Sequence, residues 1–144
     1  MSDSNLSGAN LLFSDLSGAE LINTKLVGAN LVGATLINAT LINAKLMDAK
    51  ILGAKLMDAD LTGAKLMNAN LTNAIITGCD LSGSRFNESI FNNGIITDCS
   101  LSNIDCSSVD FTNAKISYSR GNNSSFNNAI FTNADISYNT LTNA

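Results

Sequence analysis

The residues able to do chemistry are few in this chain, and their spacing assembles no reaction. Cys79, Cys99 and Cys106 are its only thiols, and histidine is absent altogether. No two cysteines stand in a C-x-x-C spacing, so neither a zinc site nor a disulfide framework is indicated. There is no nucleophile elbow and no phosphate-binding glycine loop. The remaining candidates are charges. Lys25, Lys45, Lys65 and Arg85 each stand immediately before a large apolar residue, and Glu20, Asp60 and Asp80 hold the same place elsewhere. Such groups can hold a partner of opposite charge. A catalytic site, a resident metal or a cofactor is not expected.

What positions these residues is a five-residue rule. Leu, Ile or Phe recurs at every fifth position from Leu6 to Leu141, a run of 28 centres broken only by Cys106 and Gly121. Helices and strands repeat near 3.6 and 2.0 residues, so a period of five needs a unit that turns a corner every five residues. Two residues before the centre stands a small residue, Ala without a break from Ala29 to Ala74. Two residues after it, 23 of the 28 positions are Gly, Asn or Asp, the types that best accept the positive φ of a type II turn. Each unit therefore places one small and one large residue inward and then bends.

Composition narrows the class further. The chain has 144 residues, a single-domain length spanning 1–144, with a net charge of −4 and no proline. A pI near 4.4 is the wrong sign for direct nucleic-acid binding. The first residues hold no signal-peptide pattern and nothing is long and apolar enough to span a membrane, so the expected location is the cytoplasm, with a secreted effector as the alternative. Asn38, Asn87, Asn122 and Asn123 begin N-x-S/T triplets, which turn chemistry explains.

Units such as Ala44-Lys45-Leu46-Met47-Asp48 and Ala59-Asp60-Leu61-Thr62-Gly63 resemble the pentapeptide-repeat family, written A(D/N)LxX. The resemblance covers essentially the whole chain. It implies an all-β fold: a right-handed parallel β-helix of square cross-section, with four pentapeptides to a coil. About seven coils at the ~4.8 Å spacing of paired strands make a rod of roughly 34 Å.

Four sides place residues twenty apart above one another. Lys25, Lys45, Lys65 and Arg85 then form a basic ladder, with Glu20, Asp60 and Asp80 one face earlier, where the two could pair around the corner. Phe91, Phe111 and Phe131 should stack as an aromatic ladder inside. Columns of asparagine (Asn73, Asn93, Asn113, Asn133; Asn103, Asn123, Asn143) should hydrogen-bond along the rod, and Tyr118 should stack on Tyr138. Cys79 and Cys99 share an inward column, and parallel Cβ vectors disfavour a disulfide between them. Cys106 is small where a large residue is usual, but Ile104 and Val109 beside it restore volume. Gly121, flanked by Ser119 and Ser124, has no such help, so a cavity, bulge or side-chain rearrangement is expected there.

The outward position after each centre divides the chain. It carries Leu12, Ile22, Val27, Val32, Ile37, Ile42, Met47, Leu52, Met57 and Met67, then Thr, Ser or Asn without exception from Thr72 to Thr142. Ten apolar side chains distributed round four faces form a belt, which suits an interaction surface; strand propensity alone is the competing explanation. With no amphipathic helix over the last coil, Phe126, Phe131, Ile136 and Leu141 are expected at a bare end. An end-to-end homodimer or an adjacent domain would cover it.

The leading expectation is a rigid non-catalytic scaffold with a protein partner, or a membrane surface, at the belt. Some relatives in the family imitate DNA and shield DNA gyrase from quinolones. Duplex DNA carries one charge per about 1.7 Å, so a 34 Å mimic needs roughly 20 negative charges. A net charge of −4 together with a basic ladder makes mimicry the second reading.

Overall fold

The computed structural model describes residues 1–144. One backbone event sets the architecture. Every fifth residue from Asp3 (φ 61°) to Asn143 (φ 54°) takes a positive φ, whether or not it is glycine. Even Phe13, Glu88, Ser108, Tyr118 and Tyr138 adopt it, at a cost of about 1–2 kcal/mol each. At most corners the turn closes in four residues, as where the Ala9 N–H donates to the Leu6 carbonyl at 3.0 Å across Gly8. That is the type II geometry that the Gly, Asn and Asp positions foretell.

Coils then stack in register. The Leu6 N–H donates to the Lys25 carbonyl at 2.7 Å, and Leu26 does the same to Lys45 at 2.7 Å. The column Asn5, Lys25, Lys45, Lys65, Arg85, Asp105, Ser125 is bridged in parallel at every step, each partner twenty residues on. Five residues to a corner and twenty to a coil give four sides. The chain is a parallel β-helix with no helical segment, as expected.

Regular strands are more restricted than the coils. β1 (Lys55–Met57), β2 (Ile75–Thr77), β3 (Ile95–Thr97) and β4 (Lys115–Ser117) form one parallel four-stranded sheet, and β5 (Arg120–Asn122) pairs with β6 (Thr140–Thr142). Only 7 of 97 backbone hydrogen bonds fall within these strands, so bridges one residue long carry most of the ladder. Extended pairing thus covers four coils rather than the full stack of about seven.

The β1–β4 side differs because its corners open. Ala59 and Cys79 no longer donate back to Leu56 and Ile76, as Ala19 and Ala39 do to Leu16 and Leu36 lower in the same column. The released carbonyls turn to the next coil, where the ladder lengthens to Thr77 and Thr97, and side chains of that coil reach them as well. Cys79 Sγ donates to Leu56 O at 2.5 Å, Cys99 Sγ reaches Ile76 O at 3.6 Å, and Asn139 Nδ2 donates to Ile116 O at 2.6 Å. The thiols are therefore more than small hydrophobes. Their S–H groups reach carbonyls that the lengthened parallel ladder at Thr77 and Thr97 also engages.

The interior is one continuous cluster of 36 buried apolar residues, mostly Leu and Ala in the first half. Phe91, Phe111 and Phe131 stack only in part. Phe111 and Phe131 are parallel (5.2 Å, 10°), but Phe91 and Phe111 are tilted by 49°. Phe126 enters from the neighbouring face, 5.9 Å from Phe131, so the expected ladder is an aromatic cluster across the core. Gly94 makes room for it, since a Cβ there would collide with the Phe91 ring. Cys106, Ile104 and Val109 are all buried, consistent with the exchange of volumes. At Gly121 the outcome is rearrangement: a Cβ would sit 3.0 Å from both Leu101 O and Leu141 Cδ2. Leu141 of the next coil occupies the space that a larger centre would fill.

Candidate interaction surface

The side chains that flank each centre point outward, and their partners depend on what stands before the centre. Where that residue is Asp or Asn, its Oδ1 accepts the N–H of the residue after the centre. Asp60 takes the Thr62 N–H at 2.9 Å and Asp110 takes the Thr112 N–H at 3.0 Å. The hydroxyl of Thr62 or Thr112 donates to the same oxygen at 2.6 Å. The pattern recurs at Asn70–Thr72, Asp105–Ser107 and, through the backbone N–H, Asp80–Ser82. These bonds hold several carboxyls below the ordinary carboxylate range. Thr112 does so for Asp110, and Ser137 for Asp135. Burial alone would raise Asp105, but hydrogen bonds from Asn87 and Ser107 bring it down overall.

The belt lies where this pattern fails. Val27, Met47, Leu52, Met57 and Met67 each follow a lysine two residues back: Lys25, Lys45, Lys50, Lys55 and Lys65. Ile22 follows Glu20, while Ile37 and Ile42 follow Thr35 and Thr40. Leu12 and Val32 follow Asn10 and Asn30, which take only the backbone N–H, at 3.3 Å. Of the ten belt residues only Leu12 is exposed, at 45 %; the other nine are half-buried. Their area is therefore smaller than ten freely standing side chains would present. Neighbours along the column and lysine stems shade them.

The basic ladder is a true column. Lys25, Lys45, Lys65 and Arg85 are consecutive parallel partners, with Lys25 and Arg85 exposed and Lys45 and Lys65 half-buried. The acidic column is also real, running Glu20, Thr40, Asp60, Asp80, Ser100. The two do not pair around the corner: no lysine or arginine nitrogen comes within 4.0 Å of a carboxylate oxygen. Asp60 and Asp80 are engaged with Thr62 and Ser82 instead. On the face that carries Val27, Met47 and Met67, Lys25, Lys45 and Lys65 stand beside an apolar column without an ion pair, while Arg85 stacks on Asp105 and helps to lower its carboxyl.

Other outward columns behave as structure. Asn133 donates to Asn113 at 3.3 Å and Asn143 to Asn123 at 3.2 Å, but the remaining asparagine steps are unbonded. Tyr118 and Tyr138 stack at 5.0 Å and 4°. Cys79, Cys99 and Cys106 are buried free thiols. Hydrogen bonding to Cys99 and then burial push the Cys79 thiol up, and burial does the same for Cys106, so neither is a ready nucleophile. At the far end Phe126, Phe131, Ile136 and Leu141 line an apolar depression of about 210 Å³. Sequence reading passed over Phe13, 74 % exposed, whose ring lies over Gly33 one coil on. The signal was present in the twenties: a long corner residue followed by glycine recurs at Asn43/Gly63 and Asp58/Gly78, each side chain leaning over its glycine.

A filled, four-sided solenoid of five-residue units is a rigid rod, and its outside is the surface left for function. The chain belongs to the pentapeptide-repeat family, matching it in eight copies over residues 1–36, 14–51, 24–63, 54–93, 64–103 and 104–142. Among solved structures it is similar to HetL, a pentapeptide repeat protein involved in heterocyst differentiation regulation in the cyanobacterium Nostoc. That likeness has 22% identity over 94% of this chain and 75% of the other, with a TM-score of 0.56. It is also similar to QnrB1, a plasmid-mediated fluoroquinolone resistance protein, with 15% identity over 96% of this chain and 75% of the other and a TM-score of 0.56. Likeness at these identities shows the fold alone. No curated protein matches the chain. No helix is long and apolar enough to cross a membrane.

Proposed function

We propose that the chain is a rigid, non-catalytic interaction module whose contact face carries Lys25, Lys45, Lys65 and Arg85 beside Val27, Met47 and Met67. The observation behind this reading is that no carboxylate oxygen comes within 4.0 Å of Lys25, Lys45 or Lys65, Arg85 alone being stacked on an acidic residue, Asp105. Fold stability does not call for four stacked cations, which repel one another, though by under roughly 1 kcal/mol per pair in water. An acidic protein surface would gain from the charges and cover the half-buried apolar column beside them. Leu52 and Met57, with Lys50 and Lys55, extend the same chemistry onto neighbouring faces.

A photo-crosslinker placed at position 47, with the same group at position 112 as control, tests this in cells. A partner captured at 47, not at 112, and lost when Val27, Lys45 and Met67 around the crosslinker become Ser is the expected result. Equal capture at both positions defeats the reading. Flotation with anionic liposomes separates a membrane surface from a protein partner.

The likeness to QnrB1 motivates a second test, for action on DNA gyrase. The same unpaired cations weigh against DNA mimicry, because they interrupt the negative surface a mimic needs. A supercoiling assay with no effect at micromolar protein removes that alternative.

A further inference from the structure

A polar notch of about 580 Å³ opens on the outside of the rod, on the face that carries the acidic column, lined by Asp98, Ser100, Ser102, Tyr118, Arg120 and Asn122, with Cys99 behind them. It arises from a step between two coils. Ser100 and Arg120 are stacked partners, so a short side chain on one coil meets a long one on the next. Ser102 and Asn122 repeat the step two residues later. At the corner, Tyr118 stands between Asp98 and Tyr138 in one column. Tyr138 covers one face of its ring, at 5.0 Å and 4°, and Tyr118 itself lines the notch.

The polar groups that converge there are unspent. The Asp98 carboxylate, the Ser102 and Tyr118 hydroxyls and the Arg120 guanidinium have no hydrogen-bond partner in the chain, whereas Ser100 is engaged with Ser82 at 2.8 Å. Asn122 Oδ1 accepts from Thr142, which leaves the amide N–H₂ to donate. One cation and one carboxylate make the notch neutral overall. A lone anion would gain Arg120 and be opposed by Asp98; an apolar ligand would leave all of these groups unmatched.

We infer that this notch is a saccharide-binding site. A neutral sugar ring offers adjacent hydroxyls that both donate and accept, which suits Asp98, Arg120, Asn122 and Ser102 together. Its C–H face packs on an aromatic ring, and Tyr118 presents one already held flat by Tyr138. A shallow cleft with one apolar platform and a few convergent polar groups has the make-up of a small-ligand site. It lies on residues that the interaction module proposed above does not use, so the two readings stand or fall separately.

The chain has no tryptophan, and Tyr118 and Tyr138 are its only tyrosines, so intrinsic fluorescence reports on this notch alone. Maltotriose, cellotriose and chitotriose serve as probes, each titrated to about 20 mM to cover a millimolar site. At least one should change tyrosine emission saturably, with a dissociation constant of about 1 mM, and shift the amide resonances of Ser102 and Asn122. Tyr118→Asn removes the platform while supplying a residue that other corners already use at positive φ, so the fold persists. In that variant the amide shifts should weaken at least tenfold, and Arg120→Ser should act in the same direction. The inference is overturned by no saturable response to any of the three sugars, by unchanged affinity in Tyr118→Asn, or by sodium sulfate giving the shifts that the sugars do not.

Discussion

The two halves of the rod are built on one core rule and dressed differently. Up to Met67 the residue after the centre is mostly apolar and the residue before it is often lysine; from Thr72 onward the residue after the centre is always Thr, Ser or Asn, and at Asn70, Asp80, Asp105, Asp110 and Asp135 an Asp or Asn precedes the centre. In the second pattern the outward groups satisfy each other, as Asp110 and Thr112 do at 2.6 Å. In the first pattern they do not, and the lysines are left for solvent or a partner. The inside differs in the opposite sense. Ala and Leu repeat with little variation in the first half, whereas the second exchanges volumes among Phe91, Gly94, Ile104, Cys106 and Gly121. Regular interior goes with irregular skin, and irregular interior with regular skin. Packing and surface are therefore under separate control in this fold, because a strand's two faces share no contacts.

The aromatic cluster is where the second half should break first. Phe111 touches three other rings, Phe91, Phe126 and Phe131. Phe111→Ala should cost about 3–5 kcal/mol in denaturant unfolding. Hydrogen exchange should place the loss in the coils from Phe91 onward and leave those around Leu46 protected. Uniform loss along the rod would show that the halves unfold as one unit.

Gly121 sharpens the same contrast on a smaller scale. Restoring the apparent consensus with Gly121→Leu should destabilise by about 1–3 kcal/mol, because Leu141 and the Leu101 carbonyl already occupy the site. A stabilised variant would mean that the site is a void awaiting its leucine.

That position also shows where legibility stops. The period, the positive-φ corners and the inward columns were readable because backbone sterics allow few solutions to a five-residue repeat, and each residue type declares its place. The basic ladder was readable once residues were taken in twenties. Unreadable were features set by contacts between coils at unlike positions. The Cys79 and Asn139 bonds depend on corners that open along the β1–β4 side. The tilt between Phe91 and Phe111 depends on Phe126 arriving from another face. The pairing that the basic and acidic columns could have made does not form, because Asp60 and Asp80 find a nearer donor two residues along their own chain.

Acid should separate the halves more gently. Asp105, Asp110 and Asp135 in the second half sit below the ordinary value of 3.8, against Asp15 in the first. A carboxyl lowered on folding stabilises the native state above its unfolded value; that contribution disappears as pH falls from about 3.8 through the folded values. Stability of the second half should therefore drop in that window. Asp110→Asn, which keeps the acceptor as Asn70 does, should flatten the acid limb by under roughly 1 kcal/mol after screening. An unchanged limb would assign the acid response elsewhere.

The smallest expected effect on stability carries the most information about function. Lys45→Asp with Met47→Thr converts one unit of the first skin into the second, reproducing the Asp60–Thr62 pair one face away. Both side chains lie outside the core, and the new carboxylate gains the turn N–H and hydroxyl that its counterparts hold. Stability should move by no more than about 0.5 kcal/mol. If the melting curve stays put while capture at the basic face is lost, the apolar and cationic dressing is there for a partner. If instead the variant loses more than about 1 kcal/mol, Met47 and the Lys45 stem are packing the coil, and the two skins are alternative solutions to the same folding problem.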